Sequence, residues 1–302
     1  MAAGVAAALL TVSIWAGWIV ATRHSVSTGL GPVDLGLLRF GVPALLLAPA
    51  WLKVGLLPRG VPLRLVALMV AGSGAPFLLI GSSGLGFAPA SHAGVLMPGT
   101  MPLWAGLIGW ALLGERLGPP RVAGYGLIAG GVAVLEAAAL AGAGDAWRGH
   151  LLFVLCAAMW AAYTHAFRRS GLSAFQAAGM VAAWSLAVHL ALAAVLGTDL
   201  FSTPSREVAI QAAVQGGLSG LVAIVAYGFA VRRLGATRAA AFSALAPALA
   251  AFGGMALLGE APGPAGTAAA LVVGLGVLLA AGAPRLRGDA ASSGHEYLRV
   301  KE

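Results

Sequence analysis

The sequence predicts an all-α integral membrane protein whose ten transmembrane helices form two inverted five-helix repeats, and three observations predict it. No Asp, Glu, Lys or Arg occurs between Arg64 and Glu115. Charged and Pro/Gly-rich punctuation cuts the chain into ten apolar segments. Two stretches, PLWAGLIGWALLGE (Pro102 to Glu115) and PALAAFGGMALLGE (Pro247 to Glu260), read nearly alike 145 residues apart.

The uncharged run is 50 residues long, in a chain that is 60% hydrophobic and 9% charged. A soluble domain cannot cover such a run, whereas two spans of roughly 20 residues and a tight hairpin fill it. A soluble alternative would also need polar helix faces to meet water, and none is visible. The segments run over about 3–22, 32–52, 63–86, 90–113, 120–141, 149–169, 173–197, 207–231, 236–259 and 263–283. Each is long enough to cross a bilayer as a helix, which satisfies its own backbone hydrogen bonds. None alternates apolar and polar residues as an outer-membrane barrel strand does. The first has no basic leader or A-x-A cleavage pattern and is read as helix 1, not as a signal peptide.

With the N-terminus cytoplasmic, fourteen of the 18 Lys and Arg fall inside; Arg23, Arg39, Arg148 and Arg206 fall outside. That asymmetry satisfies the positive-inside rule with both termini in the cytoplasm. Basic loops beside anionic lipid account for the net charge of +8, so no nucleic-acid partner is implied.

A shift of 145 residues superimposes Trp15 on Trp160, Trp18 on Tyr163, Arg23 on Arg168, Gly72 on Gly217, Pro102 on Pro247, Glu115 on Glu260 and Gly131 on Gly276. One offset serves helices 1 to 5, which a chance match of Ala/Gly/Leu-rich sequence does not produce. Five is odd, so the second half enters the membrane from the opposite side. The expected organisation is a first repeat over 1–141, an inverted second repeat over 142–283 and a polar cytoplasmic tail over 284–302.

IWAGWIVATR in helix 1, Arg39 early in helix 2, and the P-x12-E endings at Pro102–Glu115 and Pro247–Glu260 resemble the EamA family of the drug/metabolite transporter superfamily. Within it the chain is most similar to the ten-helix amino-acid exporters, those for aromatic amino acids in particular. The resemblance implies a basket of helices around a central cavity lined mainly by helices 1, 3, 4, 6, 8 and 9. It also implies export across a bacterial inner membrane, with Glu115 and Glu260 as fold-defining residues.

The chain has no G-x-x-x-x-G-K-[ST] loop for ATP. Glu136 is the one acidic residue well inside a span; it either relays protons or snorkels to the outer interface, and its place near a helix end favours snorkelling. The expectation is transport down a substrate gradient without proton coupling. Inversion puts Glu115 and Glu260 on opposite faces, so they form no acid–base pair; each ends a helix before a Pro-containing turn.

Candidate cavity residues are Trp15 and Trp18 on one face of helix 1, their counterparts Trp160 and Tyr163 on helix 6, Met97 and Met101 on helix 4, Ser82 and Tyr227, His92 and Ser243. The Trp residues also suit an interfacial belt, and His92 an outer interface, so both readings stand. Helix 4 carries MPGTMP, where Pro98, Gly99 and Pro102 are read as an interrupted, hinge-like stretch, with Pro247 as the counterpart in helix 9. The glycines of GSGAP and GSSGLG are read as packing residues. His92, His165 and His189 lie on different helices without a Cys or carboxylate one turn away, so no metal or other cofactor is expected. No nucleophile–base pair suggests an enzyme. No basic residue is read at the midplane, which counts against organic phosphates or nucleotide sugars. Small-residue motifs are too abundant to mark a dimer face, and a monomer with a small-molecule substrate in a lipid bilayer is expected.

Overall fold

The computed structural model describes residues 1–142, 144–234, 239 and 241–281, and every regular element among them is helical. The chain runs through α1 (Ala2–Thr28), α2 (Pro32–Leu46), α3 (Ala48–Val54), α4 (Leu63–Ser73), α5 (Ala75–Phe87), α6 (Ala90–Leu113), α7 (Pro119–Ala141), α8 (Ala146–Ser170) and α9 (Ala174–Leu196). α10 (Ser205–Gln211) continues through π-helical turns over Ala212–Val222 into α11 (Ala223–Leu234). A 3-10 turn at Phe242–Leu245 leads into α12 (Ala246–Leu258), and α13 (Pro264–Ala280) follows. The tail expected over 284–302 lies outside the described residues.

Seven helices, with α4–α5 and the α10–α11 run each taken as one, are long and apolar enough to cross a membrane; α2 with α3 makes an eighth if their 76° bend lies within one span. Phe242–Leu258 and Pro264–Ala280 are shorter apolar helices. The outward faces carry large apolar side chains, Val195, Leu112 and Leu257 among them, each more than three-quarters exposed. A surface of this kind is stable against hydrocarbon, and the protein is a multi-pass membrane protein.

The twin segments end alike, and their sequence explains why. Gly114 and Gly259 adopt the left-handed conformation, at φ 67° and φ 70°. The following Glu115 and Glu260 amides each donate to a carbonyl six residues back, Gly109 O and Gly254 O, both at 3.1 Å. This is a Schellman cap, which needs a residue without Cβ strain at the turn, and ALLGE supplies glycine there.

Three expectations about continuity are corrected. The segment at 32–52 bends between α2 and α3, where Pro43 and Pro49 flank Leu47. The segment at 63–86 breaks at Gly74, which was expected only to pack. The broken backbone is capped from elsewhere: the Ala75 amide donates to Ser185 Oγ of α9 at 2.9 Å, in a buried position. Conversely, the interruption expected at MPGTMP is absent, and α6 runs unbroken through Pro98 and Pro102. Proline removes one helical donor at each site, but α6 is held on both sides by α8 and α12 and keeps its course.

Ser185→Ala leaves the Ala75 amide buried without an acceptor. It is expected to destabilise the protein by about 1–3 kcal/mol, read as a lowered thermal unfolding midpoint in detergent.

Packing is pairwise. α1 lies against α11 and α12, α8 against α4, α5 and α6, α2 against α9 and the π-helical turns, α6 against α12, and α7 against α13. The last pair is the closest: a Cβ at Gly124 would fall 2.6 Å from Gly276 O, and one at Gly276 would fall 2.7 Å from Gly124 O. Only glycine permits that approach, the familiar use of small residues between membrane helices.

Candidate functional site

α1 presents Trp15 and Trp18 three residues apart, hence on one face, and that face turns into the bundle. Trp15 meets Trp160 of α8 edge-on at 6.4 Å between ring centroids and Tyr227 of α11 at 5.6 Å. Phe77 of α5 joins Trp18 at 6.1 Å and Trp160 at 5.4 Å, and Trp160 continues to Tyr163 at 5.2 Å. Trp15, Trp160, Tyr163 and Tyr227 are half-buried, whereas Trp18 is 6% exposed. Five residues expected at the cavity are thus brought together, and their rings adopt the tilted and edge-on contacts that aromatic quadrupoles favour.

A polar seam borders the cluster. Arg39, seven residues into α2, is buried with its Cζ 4.7 Å from the Trp18 ring centroid, and its Nη1 donates to Ser219 Oγ at 2.9 Å. Trp18 Nε1 donates to Gln215 Oε1 at 2.7 Å. Gln215 Nε2 donates to Thr22 Oγ1 at 3.0 Å and to Gln211 Oε1 at 3.3 Å. Gln215 and Ser219 both belong to the π-helical turns, a local widening frequently found at functional sites. Arg39 therefore corrects two expectations: it is not in an outer loop, and a basic residue does lie inside the bundle. Among the described residues it has no carboxylate partner.

The two ends of the bundle differ. Glu260 Oε1 accepts from Arg23 Nε at 2.6 Å, and Oε2 accepts from the Ala90 amide at the start of α6 at 3.0 Å. Arg23 also donates through Nη1 to Leu85 O at 2.5 Å, so α1, α5, α6 and the turn after α12 are tied together. Glu115 follows the other end of α6, a helix of 24 residues, roughly 36 Å long at 1.5 Å per residue. Glu115 and Arg168, the residues matching Glu260 and Arg23 at the 145 shift, are both exposed and unpaired among the described residues.

The remaining candidates lie elsewhere. Ser82 is fully buried and donates to Leu78 O of its own helix at 2.6 Å; Met97 is 1% exposed. Met101 and Ser243 are half-buried, Ser243 in the 3-10 turn before α12. Pro247 sits buried in the first turn of α12, and a Cβ on Gly99 would touch Val273 of α13. His92 Nδ1 meets His150 Nε2 of α8 at 2.9 Å, and His150 Nδ1 lies 3.0 Å from Glu136 Oε1 of α7. Glu136 thus turns toward α8 instead of simply reaching for the interface. Sequence reasoning missed Arg39, Phe77, Gln215, Ser219 and His150. Gln211 and Gln215, polar residues four apart within an apolar segment, carried a readable signal.

These features can be set beside known proteins. The EamA-like transporter family matches the chain twice, over residues 2–136 and 147–282. A probable terminal-alkyne amino-acid exporter of Streptantibioticus cattleyicolor is 28% identical over 261 residues, covering 85% of this chain and 86% of that protein. A protein crystal structure aligns with a TM-score of 0.61 at 23% identity over 92% of this chain and 97% of its own, a likeness of fold alone. A double match across nearly the whole length of a multi-pass bundle makes this chain a transporter, not an enzyme: it belongs to the EamA-like transporter family.

Proposed function

We propose that this chain exports amino acids, aromatic and hydrophobic ones foremost, from the bacterial cytoplasm across the inner membrane by alternating access. The observation that carries the substrate class is Arg39, a buried guanidinium beside an aromatic cluster with no acidic partner among the described residues. A buried cation is costly unless paired, and an amino acid brings both a carboxylate for the guanidinium fork and a side chain for the rings. A relative named as an amino-acid exporter supports the same class. An organic phosphate would bring more charge than one guanidinium balances, so that class, like other neutral solutes and drugs, ranks lower.

Two inverted five-helix repeats, residues 1–141 and 142–283, supply the mechanics. Several facts support this reading. Shifting by 145 residues turns α1 on α11 into α8 on α4, and α1 on α12 into α8 on α6, while α2–α9, α6–α12 and α7–α13 map onto themselves. The break at Gly74 falls opposite Ser219 within the π-helical turns. In this reading Arg23–Glu260 closes the outer end, Arg168 and Glu115 stand apart at an open cytoplasmic end, and the opposite pairing defines the other state. Trp15, Trp160, Tyr163 and Tyr227 wall the central cavity, and Pro98, Gly99, Pro102 and Pro247 loosen the helices that move. Both termini lie in the cytoplasm, and one chain completes the pathway.

Counterflow of the twenty amino acids in proteoliposomes tests the substrate class. Aromatic and branched-chain amino acids are expected to exchange, and Trp160→Ala and Tyr163→Ala to lower aromatic exchange roughly tenfold, the worth of about one ring contact. Absence of counterflow for every amino acid would discard the reading.

A further inference from the structure

We propose that Glu136, His150 and His92 form a one-proton conduit that couples substrate export to proton entry; the coupling rests on the exporter reading, the conduit does not. Three helices contribute one group each. Glu136 Oε1 of α7 lies 3.0 Å from His150 Nδ1, and His150 Nε2 lies 2.9 Å from His92 Nδ1 of α6. His150 has no exposed surface, whereas the Glu136 side chain is 26% exposed. The conduit therefore has a wet terminus, a dry centre and an inner terminus at His92 Nε2, which faces Gly266 in the first turn of α13.

The proton arithmetic closes. With Glu136 ionised and both rings neutral, His92 Nδ1–H donates to His150 Nε2, and His150 Nδ1–H points at the carboxylate. In the other tautomer His150 Nε2–H donates to His92 Nδ1, and bare His150 Nδ1 faces Glu136 Oε1, two acceptors 3.0 Å apart. A proton on Glu136 relieves that conflict. Accordingly, when a proton binds Glu136 and passes to His150 Nδ1, the His150 Nε2–H proton passes to His92 Nδ1, and the His92 Nε2 proton is released inward. Both rings end neutral, Glu136 ends ionised, and one proton has crossed.

The charged groups around the conduit are few. Glu260 lies close enough for its charge to act on His92 and is held by Arg23 and the Ala90 amide. Asp145 and Arg148, beside His150 in sequence, pair with each other at 3.3 Å, both more than half exposed. A proton resting on His92 therefore competes with Arg23 for Glu260, and this links proton movement to release of the Arg23–Glu260 tie.

The test uses full-length protein in proteoliposomes with leucine and phenylalanine as probes. An imposed pH gradient is expected to drive wild type to several-fold accumulation of either amino acid. His150→Asn and Glu136→Gln are expected to abolish accumulation yet retain equal-concentration counterflow, which shows that they fold. Wild-type counterflow without gradient-driven accumulation, or accumulation undiminished in both variants, would overturn the proposal and leave the exporter reading standing. If no amino acid exchanges, nitrogen-15 NMR of the histidines decides the conduit alone. His92 and His150 titrating together in wild type and separately in Glu136→Gln would support it; independent titration in both would overturn it.

Discussion

Arg39→Leu lowers the initial rate of phenylalanine counterflow about 100-fold, while phenylalaninamide, which lacks the carboxylate, crosses equally through variant and wild type. The magnitude is that of removing one partner from a desolvated, hydrogen-bonded charge pair, about 2–5 kcal/mol, at 1.4 kcal/mol for each tenfold. Leucine suits the site without substrate, because the Trp18 ring accepts an apolar neighbour and Ser219 loses one donor. Arg39→Lys keeps the charge but not the fork and falls between the two. Equal loss for the acid and the amide would show that Arg39 holds the helices and not the substrate.

Glu260→Gln shifts the molecule away from the state described above. Both side chains of the Arg23–Glu260 pair are about one-fifth exposed, so solvent trims a charge-assisted bond to about 1–2 kcal/mol, a five- to thirtyfold change in population. A cysteine at Met97, two turns inside α6 and 1% exposed, reports it when Cys156, the single native cysteine, is replaced by alanine. Its reaction with an impermeant maleimide added from the Glu260 side is expected to rise by that factor. Glu115→Gln, with no partner to lose in this state, changes the reaction little. An unchanged rate in Glu260→Gln would remove the pair from the gating scheme.

Much of this architecture was legible in the chain. Helix ends marked by ALLGE were readable because a left-handed turn demands glycine, and that demand is local. The facing of Trp15 and Trp18 toward Trp160 followed from helical spacing together with the 145 offset. What escaped depends on contacts between distant segments. Gly74 looked like a packing residue because the cap that makes its break tolerable, Ser185, comes from α9. Arg39 was counted as an outer loop residue because sequence position near a segment start does not show depth inside a bundle. His92 carried no carboxylate within a turn of its own helix; its partner ring arrives from α8 and the carboxylate from α7. MPGTMP looked interrupted because proline is judged by the donors it removes, whereas neighbouring helices kept α6 straight.

The glycine-to-glycine approach of α7 and α13 bears on the solvent around the protein. Helices in such contact can slide little without steric collision, so their outer flanks keep one shape throughout the cycle. Annular lipids along that side have nothing to adapt to, and the sensitivity of the carrier to bilayer thickness is concentrated at the bent α2–α3 unit on its far flank.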